Sequence, residues 1–195
     1  MKILIISSGR AGSNSLSRGL QSSLNNHKLV IEPFNNYYFK NNINPSKYDL
    51  SEPNLIVKTL SFHGPTNLFH YIDINLIQKQ TIDFLLEYSS NFSKIILLGR
   101  KNKIQTAKSW QKLFTSQFYN KSPLSSLPYS DFLSHVSYSE LILEIISNIK
   151  NIPITYYEDI FNGNKNNINT FLNSYKLILD NNNLHNFLNP KGKYK

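Results

Sequence analysis

Residues 3–20 read ILIISSGRAGSNSLSRGL, in which an apolar run stops at serines, passes through a glycine turn and continues with a leucine every fourth residue. The apolar run predicts a buried strand, and Leu16 and Leu20 predict one face of a helix. Between them, Gly9 and Gly12 let the backbone approach a ligand closely, and the first N–H groups of a helix lack intrahelical acceptors. The stretch therefore predicts a strand–turn–helix cradle for an anion.

Small polar residues and one arginine make up this turn. The predicted anion contacts are Arg10, Ala11, Gly12, Ser13, Asn14 and Ser15. A nucleoside triphosphate P-loop places a lysine and then a serine or threonine after its last glycine, whereas Ser13 and Asn14 follow Gly12 here. The missing lysine disfavours a kinase or an ATPase, and an arginine in the turn favours a different anionic group.

Strands and helices alternate along the rest of the chain. The predicted strands are Lys2–Ser7, Lys28–Glu32, Leu55–Leu60, Lys94–Leu98 and Ile152–Tyr156, and the predicted helices are Asn14–Leu24, Ile74–Phe92, Lys103–Phe118, Tyr129–Ile149 and Ile168–Leu179. This alternation is typical of an α/β fold, with a mostly parallel sheet of about five strands between two helical layers. Neither a repeat nor a linker interrupts it, so residues 1–195 are predicted to form a single domain. Because such sheets bind ligands at the carboxyl ends of their strands, the turns there should surround one site.

The composition indicates what kind of protein this is and what kind of partner it could bind. A chain of 195 residues that is 40% hydrophobic and 17% charged fits a globular protein. The net charge of +9 suits a polyanionic partner, although surface lysines that serve only solubility would produce the same charge. There is no cysteine, no apolar run long enough to span a bilayer and no pattern of a secretory signal. We therefore expect a cytoplasmic location, no membrane span and no metal.

A second candidate anion site lies in residues 94–110, KIILLGRKNKIQTAKSW. It is a strand followed by Arg100 and then by a helix that carries Ser109 nine residues later. A guanidinium can bind a phosphate through two parallel hydrogen bonds, and a hydroxyl on the following helix can supply one more donor. The alternative is an exposed basic helix start with a solvated serine.

Both motifs resemble those of sulfotransferases that use 3′-phosphoadenosine 5′-phosphosulfate (PAPS). The segment SGRAGSNSL resembles their phosphosulfate loop, which often reads Pro-Arg-Ser-Gly-Ser/Thr-Thr-x-Leu, with Gly9 in place of proline and Ala11 in place of a hydroxyl residue. The second motif resembles their 3′-phosphate site, in the variety found in bacterial trehalose sulfotransferase-like proteins, with Thr106 in place of a glutamine. The resemblance implies a P-loop-like sulfotransferase fold and PAPS as co-substrate. It assigns Arg10 to the sulfate-bearing end of PAPS and the Arg100–Ser109 pair to the ribose phosphate.

Two further segments resemble the same family. ITYYEDIFNG, residues 154–163, is similar to a Tyr-Glu-Asp-Leu segment that is mostly structural there, so Glu158 and Asp159 are given no catalytic role. NPKGKYK, residues 189–195, is similar to a basic loop that closes over the nucleotide. The resemblance implies contacts to the 3′-phosphate from Lys191, Gly192 and Lys193, and a frayed basic tail is the alternative.

Sulfuryl transfer to a hydroxyl requires a base and stabilisation of negative charge, and four residues are candidates. Glu32, at the end of the second strand, is favoured as base because trehalose-type sulfotransferases use a glutamate near this point. His63 is the other candidate base, in a segment similar to the Lys-x-His of cytosolic sulfotransferases but displaced by several positions. Lys58, at its strand end, can face the sulfate, and Arg10 can stabilise the transferred group.

The sequence thus favours an enzyme, a PAPS-dependent sulfotransferase acting on a hydroxyl of a sugar, a lipid or another small acceptor. One alternative is a P-loop-like nucleotide kinase with a degenerate phosphate loop. The other is a non-enzymatic basic module that binds nucleic acid. Because tyrosine and phenylalanine are scattered without a stacking motif, no specific nucleic acid is expected as partner. No segment identifies the acceptor.

Overall fold

The structure, a computed structural model, describes residues 1–24, 26–34, 50–62, 74–115, 127–161, 164–177 and 179. In it, strands and helices alternate as the sequence predicts. The strands are β1 (Lys2–Ser7), β2 (Lys28–Ile31), β3 (Leu55–Leu60), β4 (Lys94–Gly99) and β5 (Ile154–Tyr156). The helices are α1 (Ser13–Ser23), α2 (Ile74–Ser89), α3 (Lys103–Phe114), α4 (Tyr129–Lys150), α5 (Tyr157–Ile160) and α6 (Lys165–Ser174).

The five strands form one sheet in the order β2-β3-β1-β4-β5, and every neighbouring pair is parallel. In the central strand, Ile5 is in register with Lys58 of β3 on one side and with Ile96 of β4 on the other. Because helices cover both faces, every residue of β3 and all but the first residue of β1 are buried, and apolar residues predominate in both strands. The prediction of a single α/β domain with a parallel sheet is confirmed.

Two hydrophobic clusters cover the two faces of the sheet. On one face, Leu16 and Leu20 of α1 pack with Ile3 and Ile5 and with residues of α5 and α6. On the other face, residues of α2 and α4 pack against the alternate positions of β1, such as Leu4. A third cluster joins α3 to α4 beyond the carboxyl end of β3. Helices thus pack on both faces of the sheet, and the candidate residues lie at its carboxyl edge.

The strand order creates a crevice at the carboxyl end of β1. From β1, the chain first builds β2 and β3 on one side of that strand, and then crosses to build β4 and β5 on the other side. In open parallel sheets, ligands bind where the direction of this winding reverses. The turns that follow β1 and β4 are therefore the expected walls of a ligand site.

Some element bounds differ from the sequence predictions for local reasons. Strand β2 stops one residue early because Glu32 has a left-handed φ of 51°, which leaves the extended conformation. Strand β5 begins after Pro153, which has no N–H to donate to the sheet. Helix α6 begins earlier than predicted, since the Asn164 side chain accepts a hydrogen bond from Asn166 N at 2.9 Å. Helix α5 was not predicted.

From its sequence, the helix at Tyr129–Ile149 is predicted to carry Leu141 and Ile149 among the residues of its apolar face. This is partly wrong, because these two residues are 43% and 58% exposed, while Glu140 is 2% exposed. The helix is rotated relative to the predicted face, so that a carboxylate points towards the sheet. Among the described helices, none combines the length and the apolar character needed to cross a membrane.

Candidate active site

The turn after β1 forms the backbone cradle. Gly12 has a left-handed φ of 76° and precedes α1, whose first intrahelical hydrogen bond runs from Leu16 N to Gly12 O at 3.1 Å. The N–H groups of Ser13, Asn14 and Ser15 come before that bond and therefore have no acceptor within the helix. The positive end of the helix dipole lies at the same place, so the cradle favours a negative charge.

Both glycines of the turn pack against aromatic rings. A Cβ atom on Gly9 would lie 2.2 Å from the ring of Trp110, and one on Gly12 would lie 2.3 Å from the ring of Tyr157. From the sequence, these glycines are predicted to allow the close approach of a ligand. In the structure, side chains from α3 and α5 already require them, so each glycine is needed for packing whether or not an anion binds.

The Arg10 side chain connects the β1–α1 turn to helix α3. Its backbone has a left-handed φ of 62°, which is costly for a residue with a side chain and is common at functional sites. Its Nε donates a hydrogen bond to the Ser109 hydroxyl at 3.0 Å. Because the side chain is exposed, this guanidinium faces solvent at the crevice between β1 and β4.

Arg100, at the end of β4, is held from several sides. Its Nη1 donates to the Arg10 carbonyl at 3.1 Å, and its Nη2 donates to Gln105 Oε1 at 3.4 Å. Its Nε lies 3.4 Å from Glu158 Oε1 as an ion pair, and its guanidinium carbon lies 5.4 Å from the centre of the Tyr157 ring. These contacts fix the guanidinium beside Arg10, so that two cations share the crevice.

Glu158 closes the turn between β4 and α3. Its carboxylate accepts hydrogen bonds from Lys101 N at 3.1 Å and Asn102 N at 3.5 Å. Burial raises the pKa of Glu158, but its own backbone N–H, the two N–H groups of Lys101 and Asn102, and Arg100 together outweigh burial, so the pKa is lowered overall. Asp159 beside it pairs with the exposed Lys101 side chain. The carboxylate of Glu158 thus binds the N–H groups of Lys101 and Asn102 just before α3 and pairs with Arg100.

Glu32, directly after β2, forms an ion pair with Lys58, which lies within the adjacent strand β3 and two residues before its predicted place at the strand end. The Lys58 side chain is 3% exposed and the Glu32 side chain 24%, and Glu32 N donates to Lys58 O at 2.7 Å. Burial lowers the pKa of Lys58, with Arg10 acting in the same direction and Glu32 acting against both. Lys58 is in register with Ile5 of β1, so the pair lies on the β3 side of the strand that leads into the cradle.

The structure brings most of the predicted site residues to one edge of the sheet. Arg10, Arg100 and Ser109 form one cluster, and Glu32 and Lys58 lie on the β3 side of it. Within the cradle, the Ala11 and Ser13 side chains are buried, Asn14 is half-buried and Ser15 is exposed. His63, Lys191, Gly192 and Lys193 lie outside the described residues.

Two residues of this edge were missed by the sequence analysis. Tyr157 covers Gly12 and approaches Arg100, while Glu140 of α4 accepts a hydrogen bond from Arg100 N at 3.2 Å. A signal for Glu140 is present in the sequence, because it follows Val136 by four residues and precedes Leu143 by three. That spacing places it on the buried face of a helix, where an acidic residue needs a partner.

Across the described ranges, no group of three or more metal-ligating side chains comes together. No protein-family model, curated protein or solved structure matches the chain. The functional interpretation therefore rests on the geometry at the crevice and on the motifs in the sequence.

Proposed function

We propose that this protein is a PAPS-dependent sulfotransferase that transfers a sulfuryl group to a hydroxyl of a small acceptor or a glycan. One observation carries the proposal. Two strand-end arginines meet at the β1–β4 crevice, where Arg10 donates to the Ser109 hydroxyl at 3.0 Å and Arg100 donates to the Arg10 carbonyl at 3.1 Å. A backbone cradle for an anion opens beside them, so donors for two separate phosphate groups lie within one crevice.

The residues present suit a nucleotide that carries phosphate at both ends of its ribose. The N–H groups ahead of α1 suit the 5′-phosphosulfate, and Arg100 with Ser109 suits the 3′-phosphate. Arg10 joins the two, since its backbone belongs to the cradle and its side chain reaches Ser109. The sequence assigned Arg10 to the sulfate-bearing end alone, whereas its position supports a role between both ends.

The proposed reaction is an in-line displacement at sulfur. The acceptor oxygen forms a bond to sulfur, the bond from sulfur to the bridging phosphate oxygen breaks, and the hydroxyl proton passes to the Glu32 carboxylate. Negative charge that grows on the leaving phosphate is stabilised by the cradle N–H groups and Arg10. Lys58 positions Glu32 through their ion pair. We further propose that the reaction takes place in the cytoplasm and requires no metal.

The test is isothermal titration with adenosine 3′,5′-bisphosphate, the desulfated product, compared with adenosine 5′-monophosphate, which lacks the 3′-phosphate. We expect the wild type to prefer the bisphosphate. Arg100→Ala and Ser109→Ala should reduce that preference by roughly tenfold or more, because each removes hydrogen bonds to a charged group. Lys108→Ala is the matched control, since it removes an exposed cation from the same helix.

The same titration separates the alternatives. Equal affinity for the two nucleotides, unaffected by Arg100→Ala, would contradict the proposal. Tighter binding of ATP in the presence of Mg²⁺ would favour the nucleotide kinase. Binding of DNA or RNA that weakens steeply with salt, without competition from the bisphosphate, would favour the nucleic-acid module. Activity itself is tested with PAPS and a panel of hydroxyl acceptors.

A further inference from the structure

A buried carboxylate lies directly beneath the crevice. Glu140 belongs to α4, is 2% exposed, and accepts a hydrogen bond through Oε1 from Arg100 N at 3.2 Å. Its Oε2 lies 2.9 Å from the position that a Cβ atom on Gly99 would occupy. The side chain therefore reaches from the helix to the backbone at the end of β4.

The other wall of the crevice is joined to the end of β4. Ser8 N donates to Leu98 O at 3.0 Å, which connects the start of the β1–α1 turn to β4. Arg100 Nη1 donates to the Arg10 carbonyl at 3.1 Å, so the residue whose backbone N–H binds Glu140 also contacts the β1–α1 turn.

The placement of this acid is costly for the fold. Burial raises the pKa of Glu140, and Glu144 of α4 adds to the effect, while Ser8, Arg100 N–H and Lys103 of α3 act against it. A carboxylate with so few donors is expensive to bury, and an apolar residue would fill the same space without that cost. A role at the crevice explains an acid at this buried position better than packing in the core does.

We propose that Glu140 is a positioning residue that holds the β4–α3 turn against the β1–α1 turn, so that Arg10 and Arg100 meet at one anion. The inference rests on the proposed function, because the anion meant is the nucleotide donor. Glu140 acts through the Arg100 backbone and touches no ligand. If the Glu140 acceptor oxygen is removed, the Arg100 N–H loses its partner. The β4–α3 turn is then free to shift away from Arg10.

The test compares variants of Glu140 in titrations with adenosine 3′,5′-bisphosphate and with inorganic pyrophosphate. Glu140→Met fills the space but accepts no hydrogen bond, and Glu140→Gln keeps an acceptor oxygen. We expect Glu140→Met to weaken binding of the bisphosphate roughly tenfold, and Glu140→Gln to stay within about threefold of the wild type. Glu87→Met, an exposed change of the same kind on α2, is the matched control and should leave the affinity unchanged.

A double-mutant cycle distinguishes positioning from a general loss of structure. If Glu140 acts by aligning Arg100 with Arg10, Glu140→Met should add little to the effect of Arg10→Ala, whereas an unrelated structural effect would be additive. Additive effects, or wild-type affinity in folded Glu140→Met, would overturn the role of Glu140 and leave the proposed function standing. Glu140→Gln that binds as weakly as Glu140→Met would also overturn it.

The two probes separate this inference from the function it rests on. Binding of pyrophosphate but not of the bisphosphate, with the same dependence on Glu140, would overturn the sulfotransferase proposal and keep the positioning role. Binding of neither probe would overturn both. If Glu140→Met fails to fold, amide hydrogen exchange in the wild type decides, because the Arg100 amide should be protected by its bond to Glu140 and an unprotected amide overturns the inference.

Discussion

Arg10 and Ser109 are 99 positions apart in the chain, yet Arg10 Nε donates a hydrogen bond to Ser109 Oγ at 3.0 Å. This contact joins the turn after β1 to the helix after β4, across the crevice that the strand order creates. Two motifs that the sequence places in separate segments therefore form one site.

The backbone of Arg10 predicts an unusual order of stability among its variants. Because its φ is 62°, a glycine at this position avoids a steric cost that an alanine retains. We expect Arg10→Gly to be more stable than Arg10→Ala by about 1 kcal/mol in urea denaturation, while both lose affinity for adenosine 3′,5′-bisphosphate. Equal stability of the two variants would show that the left-handed conformation is not held in the folded protein.

Gly12→Ala is expected to destabilise the protein severely. The new Cβ atom would lie 2.3 Å from the Tyr157 ring, at a position whose φ of 76° is itself unfavourable for alanine. The conformational cost alone is about 1–2 kcal/mol, and the overlap adds to it. Thermal unfolding measures the sum. In a Tyr157→Ala background the same substitution should cost less, since only the conformational cost remains, and an unchanged cost would contradict the packing described here.

We expect substitutions of the two residues in the Glu32–Lys58 ion pair to differ in how much stability they cost. Glu32→Gln leaves an ammonium that is 3% exposed without its carboxylate, whereas Lys58→Met leaves a carboxylate that is 24% exposed. Because the unpaired buried charge costs more, Glu32→Gln should lower the free energy of unfolding by about 3 kcal/mol, and Lys58→Met by less. Denaturant titrations of both variants check the order.

Glu32→Gln also separates catalysis from binding. As the proposed base, Glu32 is needed for proton transfer and not for holding the nucleotide, so sulfuryl transfer should fall by about two orders of magnitude or more. Affinity for adenosine 3′,5′-bisphosphate should stay near that of the wild type in the same folded sample. Loss of binding together with transfer would assign Glu32 to the nucleotide site and leave the base to another residue.

His135 predicts how stability depends on pH. Burial among Phe62, Trp110 and its other neighbours lowers the pKa of His135 to about 4. The unfolded chain, with a pKa near 6.5, therefore binds more protons between these values, so stability is present at neutral pH and is lost as pH falls from about 6.5 towards 4. The loss between pH 7 and pH 5 should be about 2 kcal/mol.

The measurement is urea denaturation at both pH values for the wild type, His135→Gln and His27→Gln. In His135→Gln, the loss of unfolding free energy between pH 7 and pH 5 should be smaller by that amount. The variant is also less stable at neutral pH, because packing around the imidazole is lost. His27, which is only half-buried, serves as the matched substitution elsewhere in the chain. An equally steep dependence in His135→Gln would assign the effect to other groups.

The sequence by itself determined the elements and the edge at which they act. The apolar strands, the helix after Gly12 and the arginine at the end of β4 are local patterns, because side-chain periodicity and turn chemistry depend on near neighbours. The rule that parallel strands present ligands at their carboxyl ends then placed Arg10, Lys58 and Arg100 at the same edge. None of these inferences required knowledge of which strands are neighbours.

Only the tertiary structure decided which of these residues touch. The contact of Arg10 with Ser109, the packing of Gly12 under Tyr157 and the hydrogen bond from Arg100 N to Glu140 all depend on the strand order and on how the helices pack against the sheet. Those are set by packing between segments far apart in the chain, on which local periodicity carries no information. The sequence therefore shows which groups are available to an anion, and the fold determines which of them meet.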